Sequence, residues 1–388
     1  MAEKIMVVDD EPDLESLIRQ IFRRQIRNGE FEFVFAGNGL EALTKLLEHP
    51  DIGIILSDIN MPEMDGLTLL AKVNELRKPS LKTVIVSAYG DMENIRTAMN
   101  RGAYDFVTKP VDFTDLETTI RKTINDLDML RNMQKEHDQL IAIQQDLSVA
   151  RNIQQSILPK VFPPFPNHTE FQIYASMNAA KEVGGDFYDF FLIDNDRLGF
   201  VMADVSGKGV PAAIFMAVSR TLLKATALRG NSPGDCLKHV NNLLCSESIS
   251  SMFVTVFYGI LNIATGEVTY ANGGHNPPYH IHKNGTAEEL PLTGGIALGY
   301  WEDFEYAVKS IKLEPGDSLF LFTDGVTEAF NSSEALYSDE RLHGKLVSVF
   351  DKGAEDIARF IVNDVHEYST GVDQSDDITV LSIQFMGA

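Results

Sequence analysis

The stretch Val183–Ala213, VGGDFYDFFLIDNDRLGFVMADVSGKGVPAA, decides how the larger half of this 388-residue chain is read. It gives two β-strands joined by a turn at Asn195-Asp196. The first carries Gly184-Gly185-Asp186 into Phe187, Tyr188, Phe190 and Phe191, and the second, Leu198–Ala203, runs straight into Asp204. Glycine lets backbone and ligand approach closely. Carboxylates at the ends of paired strands offer the oxygen donors that Mg or Mn prefers. A plain hairpin with acidic ends has the same pattern, so the rest of the chain must choose.

Working outward, strand-like runs occur at Phe171–Met177, Phe253–Asn262, Glu267–Ala271, Tyr279–His282, Phe304–Lys312, Ser318–Thr323 and Ile378–Phe385. Helical segments at about 212–229, 234–246, 340–350 and 354–368 interrupt them. Such runs imply two packed antiparallel sheets with helices on their outer faces. Asp324 follows one strand and Asp376-Asp377 introduces the last. If these strand ends meet Asp186 and Asp204, the acids cannot all stay ionised without cations. Two divalent metals would neutralise them, lower the pKa of a shared water and clamp an in-line displacement at phosphorus. No Cys or Ser nucleophile with a base is apparent in this half.

The segments AKEVGGDFYDF, ADVSGKGVPAA, ANGGHNPP, FTDGVTEA and DQSDDITVLSI, with the lead-in ARNIQQSILP, resemble the metal-dependent Ser/Thr protein phosphatase (PPM) family. The match is to its bacterial SpoIIE/RsbU-like branch. The resemblance implies two Mn or Mg ions held by Asp186, Asp204, Asp324 and Asp376, with Asp204 bridging and the Val205 carbonyl contributing. Of the neighbours Asp376 and Asp377, the match favours Asp376, because the next position is often Asn. The implied substrate is phosphoserine or phosphothreonine on a STAS-type anti-sigma-factor antagonist, as in partner switching. Many eukaryotic members carry a histidine where this chain has Ser206. His275 is the candidate to replace it as a general acid, or else it braces its loop. Lys208 is a candidate to meet substrate phosphate as a point charge, or else a solvated loop lysine.

The N-terminal third has a different rhythm. Short apolar strands alternate with helices, which implies a doubly wound α/β domain with a parallel five-stranded sheet. In such sheets the site lies at the C-terminal ends of the strands. Asp9, Asp10, Asp58, Ser87 and Lys109 all fall there. This set resembles the receiver domain of two-component response regulators. The resemblance implies that Asp58 accepts a phosphoryl group from a sensor histidine kinase or phosphotransfer protein. Asp9, Asp10, Asp58 and the backbone carbonyl of Asn60 would hold Mg, and Lys109 would contact the phosphoryl oxygens. Ser87 would be the switch hydroxyl and Phe106 the aromatic that moves with it.

Between the halves, no Pro or Gly occurs from Phe113 to Leu158. Met129, Met133, Leu140, Ile143, Leu147, Ala150 and Ile157 follow alternating four- and three-residue steps, with Glu136 and Gln154 as polar interruptions. This predicts a helical linker that pairs with a second copy as a parallel coiled coil. Pro159 and Pro163 end it. The expected domains are a receiver at 1–124, a coiled-coil linker at 125–158 and a phosphatase at 159–388. Phosphorylation would alter the pairing of the linker and shift the two helices that follow Asp204.

The net charge of −23 disfavours nucleic acid and anionic membrane as partners. No apolar run reads as a bilayer span, and the N-terminus lacks a signal-peptide pattern. Cys236 and Cys245 suggest no disulfide framework, so the cytoplasm is the expected compartment. The competing reading is an adaptor, a phospho-controlled pseudophosphatase that binds a partner without catalysis. Loss of one or two of the acids would mark it, and none is missing.

Overall fold

The computed structural model describes residues 2–88, 91–247 and 252–387, in two units, Met1–Ile143 and Gln144–Ala388. Tyr89 and Gly90, read with the end of the fourth strand, lie outside the described residues.

The first unit runs β1 (Glu3–Val8), α1 (Pro12–Ile21), α2 (Arg23–Arg27), β2 (Phe31–Ala36), α3 (Gly39–Glu48), β3 (Ile52–Asp58), α4 (Gly66–Glu75), β4 (Lys82–Ala88), α5 (Met92–Asn100) and β5 (Asp105–Lys109). The strands form one parallel sheet in the order β2-β1-β3-β4-β5. Both of its faces are covered. Ile5, Val7, Ile54 and Leu56 pack with Ile18, Phe22, Leu116 and Ile120 on one side, while Met6, Val8 and Ile55 meet Ala42, Leu69 and Val73 on the other. This double burial explains the continuous apolar strands, since a strand wet on one face alternates instead. The register aligns Val8 with Ser57, Asp58 with Val86, and Ala88 with Lys109. The polar residues that follow each apolar run are thereby gathered at one edge.

Helix α6 (Phe113–Ile157) is continuous over 45 residues. Leu116, Ile120 and Leu127 anchor its start in the first unit's core, and Arg131 pairs with Glu3 at 2.8 Å. Met129, Met133, Leu140 and Ile143 of the expected seam are exposed. The helix is thus as expected, while its pairing needs a second chain and stays a proposal.

The second unit contains two antiparallel sheets. The first, β13-β10-β9-β8-β7, comprises β7 (Phe187–Leu192), β8 (Arg197–Val205), β9 (Val254–Asn262), β10 (Glu267–Gly273) and β13 (Lys309–Lys312). The second, β12-β11-β14-β15-β6, comprises β6 (Phe171–Asn178), β11 (Tyr279–Ile281), β12 (Ala287–Glu289), β14 (Ser318–Phe322) and β15 (Ile378–Phe385). Alternating residues of β14 and β15 divide between two cores. Leu319, Leu321, Leu381 and Ile383 join Phe200 and Tyr258 of the first sheet, while Phe320, Phe322 and Val380 pack under α10 (Asp339–Ser348) and α11 (Ala354–Tyr368).

Helices α7 (Val210–Ala227) and α8 (Pro233–Glu247) add Ala212, Met216, Leu223, Leu237 and Val240 to the core shared with the first sheet. Against the sequence expectation, α7 is long and apolar enough to cross a membrane by length and composition. Its Arg220 and Lys224 nevertheless ion-pair with buried Asp189, at 2.8 and 3.5 Å. Two further corrections concern local structure. Only Lys309–Lys312 of the expected strand Phe304–Lys312 is paired, because Phe304 and Tyr306 turn inward as an edge-to-face aromatic pair against the core. The short strand β12 and the single-turn helix α9 (Asp324–Thr327) were not expected.

Candidate functional site

In the first unit, Asp9, Asp10 and Asp58 each bring a carboxylate oxygen within 4.8 Å of the others. Lys109 Nζ reaches Asp9 Oδ2 and Asp58 Oδ2, both at 3.0 Å, and Glu11 Oε1 at 3.1 Å. Burial raises the pKa of Asp9 despite that lysine. Burial alone would lower the Lys109 pKa, but its bonds to Asp9, Asp58 and Glu11 outweigh this and raise it. Ser87 is buried next to Asp58 on the neighbouring strand, and its hydroxyl lies 3.5 Å from Asp91 Oδ2. Phe106 is 37% exposed and Asn60 is exposed. Gly66 has a structural purpose that the sequence hid. A Cβ there would lie 2.0 Å from the Asp58 carbonyl oxygen, so only glycine lets α4 start under the acid.

In the second unit, β7 begins where antiparallel β8 ends, with Phe187 opposite Ala203. Asp186 is 2% exposed, and Thr323 Oγ1 donates to its Oδ2 at 2.6 Å. Burial, then the Asp204 and Asp377 charges, push the Asp186 pKa well above the usual carboxylate range. Burial, then Asp324, raise Asp204 to about 7. Burial, then Asp376, raise Asp324. These acids therefore sense one another, and unpaired like charges in a buried site are what divalent cations relieve. With the Val205 carbonyl, which lies 2.9 Å from where a Cβ on Gly185 would be, the donors are all oxygen. The set fits hard divalent ions.

Asp376 and Asp377 separate clearly. Asp377 is a backbone anchor: Oδ1 accepts the Ala180 N–H at 2.8 Å and Oδ2 accepts the Gly185 N–H at 2.7 Å. Gly184 and Gly325 exist for this approach, since a Cβ on either would sit 2.1 or 2.0 Å from Asp377 oxygens. Asp376 lies 2.7 Å from Lys208 Nζ, which also donates to the Ser375 carbonyl at 2.6 Å.

His275 is enclosed. Its Nδ1 lies 2.9 Å from Thr255 Oγ1 and its Nε2 3.2 Å from the Phe322 carbonyl, so both ring nitrogens are engaged within the fold. Burial lowers its pKa to about 4. Ser206 Oγ accepts the Phe253 N–H at 3.0 Å and so closes the β8–β9 end.

Two site residues escaped the sequence reading. Thr323 orients Asp186 from 137 positions away. Gln154, a polar interruption of the linker seam, is 6% exposed and bonds the backbone of Gly184 in both directions. The motifs FTDGVTEA and ARNIQQSILP contain these residues, but neither spacing nor periodicity could say what they hold.

Residues 5–121 match the response regulator receiver family and residues 194–386 the family Stage II sporulation protein E (SpoIIE). The chain is a receiver domain joined to a SpoIIE-family domain. Its receiver is 36% identical to the chemotaxis protein CheY of Bacillus subtilis over 127 residues, 32% of this chain and all of CheY. The phosphoserine phosphatase RsbU of Bacillus subtilis is 36% identical over 200 residues, 50% of this chain and 58% of RsbU. Among solved structures, the SiaA-PP2C domain of Pseudomonas aeruginosa superposes with a TM-score of 0.56 at 22% identity, covering 63% of this chain and 98% of that one. That likeness establishes the two-sheet fold. The chain spans about half the length of the first curated relatives it matches, 41%, 58% and 45% of them.

Proposed function

We propose that this chain is a metal-dependent protein serine/threonine phosphatase controlled by phosphorylation of Asp58. The observation that carries the reading is that buried Asp186 and half-buried Asp204 and Asp324 have raised pKa values, pushed up by burial and by the charges of neighbouring acids. Carboxylates whose pKa values are pushed up by burial and by one another mark a candidate functional site. Asp186, Asp204, the Val205 carbonyl, Asp324 and Asp376 would hold two Mn or Mg ions. When bound, the ions supply charge neutralisation and an activated water for displacement at phosphorus. The chain's own residues supply placement: Thr323 fixes Asp186, and Asp377 pins the Ala180–Gly185 backbone. His275 serves as a brace. Lys208 neutralises Asp376 and is free to swing to a substrate phosphate once metal replaces it.

The substrate class supported by the likeness to RsbU, a phosphoserine phosphatase, is a phosphorylated protein, and we assign it to the STAS type. In the receiver, Asp9, Asp10, Asp58 and the Asn60 carbonyl would hold Mg while a histidine kinase or phosphotransfer protein phosphorylates Asp58. The signal then travels along α6, which we propose pairs with a second copy from Met129 to Ile157. Gln154, near the helix end, is bonded to the glycine two residues before Asp186.

The deciding experiment measures phosphate release from a phosphoserine STAS protein with Mn or Mg, with and without beryllofluoride. Metal-dependent turnover, abolished in Asp204→Asn and altered by beryllofluoride, supports the proposal. No turnover with either metal in either receiver state overturns it.

A further inference from the structure

The hairpin β11–β12 carries a second group of donors that shares no residue with the acid cluster. Side chains at i and i+2 of a strand point to the same face. His280 and His282 are so related, and their neighbours Tyr279 and Ile281 point the other way, into the core under α10 and α11. Register adds the rest: Glu288 on β12 is directly opposite His280. One nitrogen from each histidine and one Glu288 oxygen lie within 4.8 Å of one another. Asp317, preceding β14, is 3.0 Å from His280 Nε2 and 3.6 Å from His282 Nδ1.

The geometry points to a transition-metal site formed by His280, His282 and Glu288, with Asp317 orienting His280. Two imidazoles and a carboxylate suit zinc and its neighbours in the first row, and differ in kind from the all-oxygen set at Asp186 and Asp204. A carboxylate on the far nitrogen of a ligating histidine is the usual support for such a site. Here Asp317 is itself fixed, accepting the backbone N–H groups of Lys283 at 3.0 Å and Glu314 at 3.1 Å. A simple turn would need Asp317 alone. It would not need a buried imidazole whose ring centroid lies 3.9 Å from a second one. Ring nitrogens that close can serve one divalent cation. His280 is 5% exposed, while Glu288 is exposed, so the group is walled on one side and open to ions on the other.

The test uses the full chain in excess Mg, which occupies the carboxylate sites, and titrates zinc by calorimetry with metal analysis after dialysis. The wild type is expected to retain zinc, and the surface variants His282→Ala and Glu288→Gln to bind it more than roughly tenfold more weakly, with unchanged circular dichroism and Mg-dependent turnover. His280→Ala should abolish the binding. Zinc binding of equal affinity in His282→Ala and Glu288→Gln, or no zinc retained by the wild type, overturns the site.

Discussion

Gln154 and Gly184 hold each other by a reciprocal pair of hydrogen bonds: Gln154 Nε2 donates to the Gly184 carbonyl at 2.6 Å, and the Gly184 N–H donates to Gln154 Oε1 at 3.0 Å. The side chain thus substitutes for a strand partner at the point where the chain enters β7 and presents Asp186. Gln154→Ala would strand a buried donor and acceptor, each at a cost of about 1–3 kcal/mol. We predict a weaker Mn dependence of turnover, with the metal concentration for half activity raised and KM for the phosphoprotein little changed. Gln154→Glu keeps the acceptor only and should fall between. A Mn titration of all three proteins checks this. An unchanged metal response in Gln154→Ala would show that the clamp is scaffold alone.

Asp376 and Asp377 are adjacent but do different jobs, and substitution should separate them. Asp377→Ala leaves the Ala180 and Gly185 N–H groups without their acceptor, so we expect a stability loss of about 2–4 kcal/mol and activity that added metal does not restore. Asp376→Ala removes an acid whose partner is a half-exposed lysine. It should fold normally and regain part of its activity at high Mn. Urea unfolding read from Trp301, the one tryptophan in the chain, together with Mn titrations, distinguishes the two outcomes.

Why one aspartate of that pair was legible and its neighbour's task was not is a matter of range. Strand ends such as Asp58, Asp204 and Asp324 are visible because an apolar run stops at them, and burial on both faces makes the run continuous. Gln154, Thr323 and Asp377 work through bonds to backbone or carboxylate 30 to 197 positions away, which no local periodicity encodes. Gln154 does interrupt the heptad as a polar residue, but the pattern carries no sign of its bonds to Gly184. The same limit explains Phe304–Val308. Its aromatic alternation is that of a strand, but tertiary burial of Phe304 and Tyr306 takes precedence over pairing.

In the receiver, three clustered carboxylates that face a single lysine predict a phosphorylation site that needs metal. With acetyl phosphate and Mg, the wild type should gain one phosphoryl group that Asp58→Ala does not. Asp10→Asn should need more Mg for the same labelling, because it removes one of three clustered carboxylates. Intact-mass spectrometry reads both effects. Equal labelling of wild type and Asp58→Ala would remove Asp58 as the acceptor.

The enclosed imidazole of His275 gives the second unit an acid-labile point. Its pKa falls from 6.5 to about 4 because burial disfavours the charged ring, an effect that the bond to the Phe322 carbonyl offsets only in part. A depressed pKa means that the unfolded chain takes up the proton first. The contribution is therefore complete above pH 6.5 and is lost as pH falls towards 4. By linkage it amounts to about 2 kcal/mol between pH 7 and pH 5. Protonation of the acid cluster, with Asp204 raised to about 7, adds stability over the same interval, so the His275 loss is read as a difference between two proteins. We predict from urea unfolding followed through Trp301 that the wild type exceeds His275→Gln, which cannot titrate there, at pH 7, and that this gap narrows by that amount at pH 5. Parallel pH profiles for the two proteins would mean that the ring is protonated as readily inside the fold as outside it, which its burial argues against.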